Sequence, residues 1–179
     1  MKLIAIAAVS LDGVIGVGDE IPWRIPEDFK HFRDTTMGHV LLVGRATYLT
    51  LPKKAHEGRE YIVLNGGERI PDLDTNHFQF SRIDTVLHLL NHKNTTIDKV
   101  FVIGGASIYT QLLDYCDEAI ITWVDKFVPE GDKRFPIMKL LEEFSCVNSA
   151  DWQMSKTGVQ YKIRYYERRY GSKGKTEKE

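Results

Sequence analysis

Short apolar segments rich in β-branched residues alternate along this chain with segments of helical periodicity. The strand-like segments are residues 2–9, 39–43, 60–64, 77–80, 99–103 and 119–124. The helical patterns between them are residues 26–35, 45–51, 83–92 and 106–115. Because parallel strands need long crossover connections, this alternation predicts an α/β sheet covered on both faces. Residues 144–149 and 159–170 have no helix between them, so they predict an antiparallel edge and a mixed sheet.

The length and composition predict one compact domain. The chain has 179 residues, of which 42% are hydrophobic, enough for a sizeable core. We assign residues 1–170 to this domain and expect the polar residues 171–179 to form a disordered tail. The first apolar run leads through Asp12 into a glycine-containing loop, so we interpret it as a buried strand and not a secretory signal.

The charges and cysteines limit the expected partners to small molecules or proteins. The formal net charge is -1, with no basic block before the tail, so nucleic-acid binding is not expected. No apolar run approaches the ~18 residues needed to span a membrane. Cys116 and Cys146 have no CxxC spacing and lie in apolar segments. They predict buried thiols, no metal site and a reducing compartment, by default the cytoplasm.

Asp28 lies in an otherwise amphipathic pattern after Pro26. One interpretation is structural, because an acid in the first helical turn interacts favourably with the helix dipole. The other is functional. Asp28 shares a helix face with Phe32 and lies beside Phe29, so it is expected to be half-buried, which raises its pKa. A carboxylate in this position suits recognition of an amidine-like edge with two N–H donors.

Two strand-to-helix junctions contain glycine. Gly104 and Gly105 follow one apolar strand, and Gly44 with Arg45 follows another. A helix start after a glycine can approach a phosphate closely, and Arg45 could meet a further phosphate. The GGAS sequence matches neither the Rossmann nor the P-loop pattern, so a simple tight turn remains the alternative for the glycine pair.

Seven segments together carry a resemblance to the dihydrofolate reductase family, in its order and at its spacing. They are IAAVSLDGVIG (6–16), the PW of IPWRIPEDFKHF (21–32), VGRATY (43–48), EGREYIVL (57–64), VIGGASIY (102–109), ITWVD (121–125) and GDKRFP (131–136). The resemblance implies a mixed, mostly parallel eight-stranded sheet flanked by four helices. It implies NADPH-dependent reduction of 7,8-dihydrofolate to 5,6,7,8-tetrahydrofolate, supporting one-carbon metabolism and thymidylate synthesis, by a monomer that antifolates inhibit.

The resemblance also assigns the substrate site. Asp28 matches the acid that binds pterin N3 and the 2-amino group, Thr122 the threonine bonded to that acid, and Trp23 the tryptophan that holds a nearby water. Arg59 matches the arginine that binds the folate α-carboxylate. The matches to the pocket lining are Ile6, Ala8, Phe32, Leu51 and Ile103. In this scheme a hydride passes from nicotinamide C4 to pterin C6, Asp28 orients the pterin, and a water protonates N5.

Cofactor contacts follow from the same resemblance, with Tyr109 matching the tyrosine beside the nicotinamide. The other matching positions are Ala8, Ile15, Gly16, Gly44, Arg45, Ala46, Thr47, Leu64, Asn65, Arg82, Gly104, Gly105, Ala106, Ser107 and Ile108. Residues 16–23 match the loop that closes over the nicotinamide.

Three segments depart from the family pattern. Asn65-Gly66-Gly67 and Ser81-Arg82 stand where relatives often have hydroxyl or basic side chains, so preference for NADPH over NADH rests mainly on Arg45, with Arg82 second. Residues 52–58 replace the usual approach to Arg59, which leaves open how the folate tail is bound.

Two other functions are compatible with such a fold. One is a pyrimidine reductase of riboflavin synthesis, which shares the fold and the NADPH chemistry. The other is a binding protein without activity. Asp28, Trp23 and the glycine pair favour a folate-reducing enzyme over both.

Overall fold

The computed structural model describes residues 1–92 and 96–170. The tail expected at 171–179 lies outside the described residues. The strands are β1 (Lys2–Ser10), β2 (Val14–Gly16), β3 (Val40–Gly44), β4 (Glu60–Leu64), β5 (Phe78–Phe80), β6 (Lys99–Val102), β7 (Glu118–Val124), β8 (Lys133–Arg134), β9 (Phe144–Ser149), β10 (Gln153–Met154) and β11 (Gln160–Arg168). The helices are α1 (Pro26–Thr36), α2 (Arg45–Thr50), α3 (Ile83–Leu90), α4 (Ala106–Leu112) and α5 (Ile137–Glu143).

The main sheet is mixed and mostly parallel, in the order β10-β11-β7-β1-β6-β3-β4-β5. The pairs from β7 to β5 are parallel, and β11 runs antiparallel to β7. Strands β9 and β10 both pair with β11, β10 at residues 160–161 and β9 at residues 164–168. The two short strands therefore share one edge position of the sheet. The predicted fold class is confirmed, and α5 is a short helix beyond the four expected.

Side chains of the central strand alternate between two apolar layers. Leu3, Ala5 and Val9 of β1 belong to one buried cluster, and Ile4 and Ile6 belong to another on the opposite face. A strand packed on both faces needs apolar residues at successive positions, which explains why β1 reads as a continuous apolar run.

The parallel strands place the ends of several elements beside one another. Gly44 ends β3 and Arg45 begins α2, while α4 begins four residues after β6 ends. In the register of β1 with β7, Ala8 lies opposite Thr122. The carboxyl ends of these strands therefore meet at one edge of the sheet, where open α/β sheets bind ligands.

The cysteine expectation is only half right. Cys116 is buried, but Cys146 is exposed. Cys146 lies in β9, whose side chains after Phe144 are all exposed. Because successive side chains point to opposite faces, both faces of this strand are open to solvent there. None of the helices in the described part of the chain is long and apolar enough to cross a membrane.

A buried hydrogen bond ties β7 to β11. Trp123 Nε1 donates to the Tyr166 hydroxyl at 2.9 Å, and both side chains are at least nine-tenths buried. We expect Tyr166→Phe to lower the free energy of unfolding by about 1–3 kcal/mol, because the indole N–H would lose its partner in an apolar layer. Urea denaturation measures this. Tyr165→Phe, on the exposed face of the same strand, is the matched control, and equal losses in both variants would contradict the explanation.

Candidate functional site

A cleft of about 1140 Å³ opens at the carboxyl ends of the parallel strands. The start of α1 and the adjacent loop form one side, and the starts of α2 and α4 form the other. Ligand sites in proteins are typically concave, mostly apolar clefts with a few placed polar groups. This cleft has that character.

Asp28 is the half-buried acid of the cleft, held by a strand that lies opposite α1. The Thr122 hydroxyl on β7 donates a hydrogen bond to Asp28 Oδ1. Burial raises the pKa of Asp28 above its ordinary value, while the Thr122 hydrogen bond and the His31 imidazole act to lower it. The result is a carboxyl group that either holds a proton or needs a ligand with N–H donors to stay ionised.

Apolar side chains flank Asp28. Ile6 of β1, Phe32 of α1 and Leu51 after α2 line the cleft together with Ile103. Trp23 is buried to 8% exposure, packs with Ile25 and Val14, and still reaches the cleft wall. A flat aromatic ligand would find apolar walls here and the half-buried Asp28 at its edge.

The opposite side of the cleft depends on close backbone contacts between the starts of two helices. The Gly44 N–H donates to the Gly104 carbonyl at 2.8 Å, and the Gly104-Gly105 peptide is cis. A Cβ at Gly105 would lie 2.9 Å from Thr47 Oγ1, and one at Gly104 would lie 2.8 Å from the Tyr109 ring. Neither α2 nor α4 has a side-chain cap, so their first N–H groups face the cleft without one.

Tyr109 supports this side from beneath. Its hydroxyl donates to the Ile6 carbonyl at 2.6 Å, and burial raises its pKa far above the ordinary value. A phenol that stays protonated and is committed to a backbone acceptor positions its neighbours. It does not transfer protons.

Arg45 stands at the outer end of the same side. Its Nη1 lies 3.1 Å from Glu68 Oε2, and its Nε is buried with no hydrogen-bond partner in the described residues. A buried N–H without a partner costs free energy, so the site favours an anion that could bond to it.

The cleft brings together all but three of the predicted site residues. Those lining it are Ile6, Ala8, Ile15, Gly16, Trp23, Asp28, Phe32, Gly44, Arg45, Ala46, Thr47, Leu51, Leu64, Asn65, Ile103, Gly105, Ala106, Ser107, Ile108, Tyr109 and Thr122. Gly104 lies just behind the lining, under Tyr109. Arg82 and Arg59 are the other two exceptions. Arg82 is exposed and pairs with Asp84 at 3.0 Å.

Arg59 is buried and lines a separate cleft. Its Nε donates to Thr36 Oγ1 at 2.9 Å, and its Nη2 donates to the Arg33 carbonyl at 2.9 Å. Its Nη1 donates to the Ala55 and Glu57 carbonyls. These bonds fix the guanidinium plane by tying α1 to residues 55–57.

Several lining residues were not predicted. Arg24, Phe29, Thr50, Gln111 and Lys133 also line the cleft. Phe29 follows Asp28 and was predicted as part of the apolar stripe, but its exposed ring projects into the cleft rim. Lys133 lies within the GDKRFP segment, and its ammonium group donates to the Gly18 carbonyl. Because Lys133 is far from that loop in sequence, local patterns did not predict this contact.

Comparison with known proteins identifies a single family. Residues 2–168 match the family model described as dihydrofolate reductase. A dihydrofolate reductase of Mycobacterium tuberculosis is 36% identical over 165 residues, covering 90% of this chain and 94% of the relative. The type 15 dihydrofolate reductase of Escherichia coli is 37% identical over 163 residues, with 91% and 98% covered. That of Mycobacterium leprae is 30% identical over 163 residues.

The raised pKa of Asp28 gives a prediction about stability. Above this raised pKa the fold must bury a charge, so ionised Asp28 destabilises the folded state; below about 3.8 the carboxyl is protonated in both states. We therefore expect Asp28→Asn to unfold at higher urea concentration than the parent at neutral pH, with the difference shrinking as the pH falls. Asp125→Asn, at an exposed acid, is the control. A gain that is constant across this pH range would contradict burial as the cause.

Proposed function

This chain belongs to the dihydrofolate reductase family, an oxidoreductase family that reduces dihydrofolate with a nicotinamide cofactor, and we propose that it reduces 7,8-dihydrofolate to 5,6,7,8-tetrahydrofolate with NADPH. The observation that carries the proposal is the half-buried Asp28, bonded to Thr122 and flanked by apolar walls. The family match and these relatives favour this reading over the pyrimidine reductase and over a binding protein without activity.

Asp28 is proposed to bind the 2-amino group and N3–H of the pterin. Two parallel N–H donors match the two oxygens of a carboxylate, and such charge-assisted bonds fix both position and orientation. The Thr122 hydroxyl supports this role by bonding to Oδ1, which stabilises the side-chain conformation. Since the pterin edge supplies donors and positive charge, substrate binding offsets the burial that disfavours ionised Asp28.

Proton delivery to N5 is assigned to a water. The carboxylate of Asp28 would engage the N3 side of the ring, away from N5, and the Tyr109 hydroxyl is committed to the Ile6 carbonyl. Trp23, Gly16 and residues 18–21 line the same cleft as Asp28. These groups would limit entry of bulk water while leaving room for one ordered molecule.

The residues opposite Asp28 fit a nicotinamide dinucleotide. When bound, that cofactor supplies a hydride from nicotinamide C4. At Gly44 and Gly105 a Cβ would meet Ile108 or Thr47, so these glycines let the starts of α2 and α4 lie close together. The helix starts, which have no side-chain caps among the described residues, offer N–H groups to a diphosphate. Arg45, whose Nε has no partner among the described residues, suits the additional phosphate of NADPH.

Arg59 remains our proposed group for the glutamate α-carboxylate of the substrate. Four hydrogen bonds hold its guanidinium, and these leave one Nη2 N–H among the contacts of the described residues. We further propose that the enzyme acts as a cytoplasmic monomer, contributes to one-carbon metabolism and is inhibited by antifolates.

The first prediction concerns turnover. The purified enzyme should oxidise NADPH only when dihydrofolate is also present. Asp28→Asn should lower kcat by roughly 10²-fold or more, since preorganised charge is lost at the pterin. Loss of nicotinamide absorbance measures this. The control is Asp34→Asn, at an exposed acid of the same helix, which should keep parental rates. Full activity in Asp28→Asn with an unchanged pH profile would remove Asp28 from the mechanism.

The second prediction concerns the choice of cofactor. Losing a charge-assisted bond to phosphate costs about 1.5–3 kcal/mol, so Arg45→Gln should raise KM for NADPH by roughly 10-fold or more and leave KM for NADH unchanged. Glu68→Gln should lower KM for NADPH, because Arg45 would no longer be shared with a carboxylate. Arg82→Gln tests the smaller contribution to NADPH preference that is expected from Arg82. Equal effects on both cofactors would place Arg45 away from the phosphate that distinguishes them.

A further inference from the structure

The second cleft of the molecule, which includes Arg59, holds a cluster that the reductase reaction does not use. The cluster consists of His56, Asp74 and His77, and each offers one ligand atom within 4.8 Å of the other two. His56 Nδ1 is 2.7 Å from Asp74 Oδ2, and His77 Nδ1 is 3.8 Å from the same oxygen. From this geometry we propose that His56, Asp74 and His77 form a binding site for a divalent transition-metal ion of the zinc class.

The donor set matches that ion. Two imidazoles and one carboxylate are a recurring zinc ligand set, in which a fourth position is open to water or another ligand. In the tetrahedral geometry that zinc prefers, metal–ligand bonds of about 2.0–2.2 Å place two ligand atoms roughly 3.4 Å apart. Ligand atoms as far apart as 4.8 Å must therefore approach each other by about 1.4 Å. The Asp74 side chain is 58% exposed and can make that movement. Hard ions such as Ca²⁺ prefer more oxygen ligands than this site offers.

The protonation states also suit a metal. Metal binding requires neutral imidazole and ionised carboxylate. Burial, the largest cause, lowers the pKa of His77, and the hydrogen bond from His56 lowers the pKa of Asp74.

His77 is also oriented for ligation. Its ring hydrogen-bonds to the backbone of Arg59, and its Nδ1 lies 2.7 Å from the Tyr48 hydroxyl. Burial raises the pKa of Tyr48, so its hydroxyl stays protonated and donates to Nδ1. The Nδ1 lone pair that a metal would take accepts the Tyr48 hydroxyl here, so zinc binding must break that hydrogen bond. The backbone bond would still hold the ring, as is common for metal-binding histidines.

His56 provides an independent observation. Its Nε2 is buried with no hydrogen-bond partner in the part of the chain that the structure describes. The ring stacks on Tyr48 at 5.0 Å and lies 5.0 Å from the His77 ring. A buried imidazole nitrogen without a partner is costly, and a change in the His56 ring orientation that brings Nε2 onto the metal would remove that cost.

The test is zinc titration of chelator-treated enzyme by calorimetry, followed by thermal unfolding. We expect one equivalent of Zn²⁺ to bind and to raise Tm by roughly 5–10 °C when free zinc is about 100 times Kd. Co²⁺ should bind in the same place and give visible d–d absorption. Asp74→Asn, which changes an exposed side chain, and His56→Gln should each weaken zinc binding by about tenfold or more, since loss of an outer partner alone costs that much.

Two control variants change the same residue types outside the cluster. Asp72→Asn is in the same loop, and His88→Gln removes an exposed histidine from α3. Neither should change zinc affinity. The proposal is overturned if zinc does not bind, if Mg²⁺ or Ca²⁺ binds as tightly, or if binding persists in Asp74→Asn and His56→Gln. Because zinc affinity and Tm are measured without substrate, this result does not depend on reductase activity.

Discussion

The hydrogen bond between Thr122 and Asp28 is the contact on which the site depends. It joins the first turn of α1 to a strand next to the centre of the sheet, across 94 residues of sequence. A half-buried carboxyl group is unfavourable unless a donor meets it, so the helix start and the strand must stay in register for the acid to be tolerated. The same bond engages Oδ1 and not Oδ2. Stability is therefore reduced at the position where recognition is needed, a common relation at functional sites.

Close backbone approach is the second constraint. At Gly44, Gly104 and Gly105 any Cβ would come within 3.0 Å of Ile108, Tyr109 or Thr47. Because these glycines let α2 and α4 begin almost in contact, two sets of uncapped N–H groups open onto one cleft. Larger residues would push the helix starts apart, and the diphosphate side of the cleft would lose its shape while the sheet behind it could persist.

Much of this arrangement could be predicted from the sequence, since it follows from local patterns. Periodicity located β4 and β9 to the residue, and the ordered motifs located nearly all of the cleft lining. Long-range contacts could not be predicted in this way. Residues 137–143 have too short a pattern to indicate α5, and nothing local showed that Lys133 reaches the Gly18 loop. The exposure of Cys146 was missed because an apolar neighbourhood in sequence does not tell whether either face of an edge strand is covered.

The segment from Leu51 to Arg59 connects the two clefts. Leu51 and Pro52 line the cleft with Asp28, whereas His56 and Arg59 line the other. The Ala55 and Glu57 carbonyls on either side of His56 accept the bonds that orient Arg59. Any ligand that fixes His56 must therefore also restrict the backbone that holds the guanidinium. If Arg59 binds the carboxylate of the substrate, an ion at His56 would reduce the conformational freedom lost on binding, which links the two sites through one short segment without direct contact between their ligands.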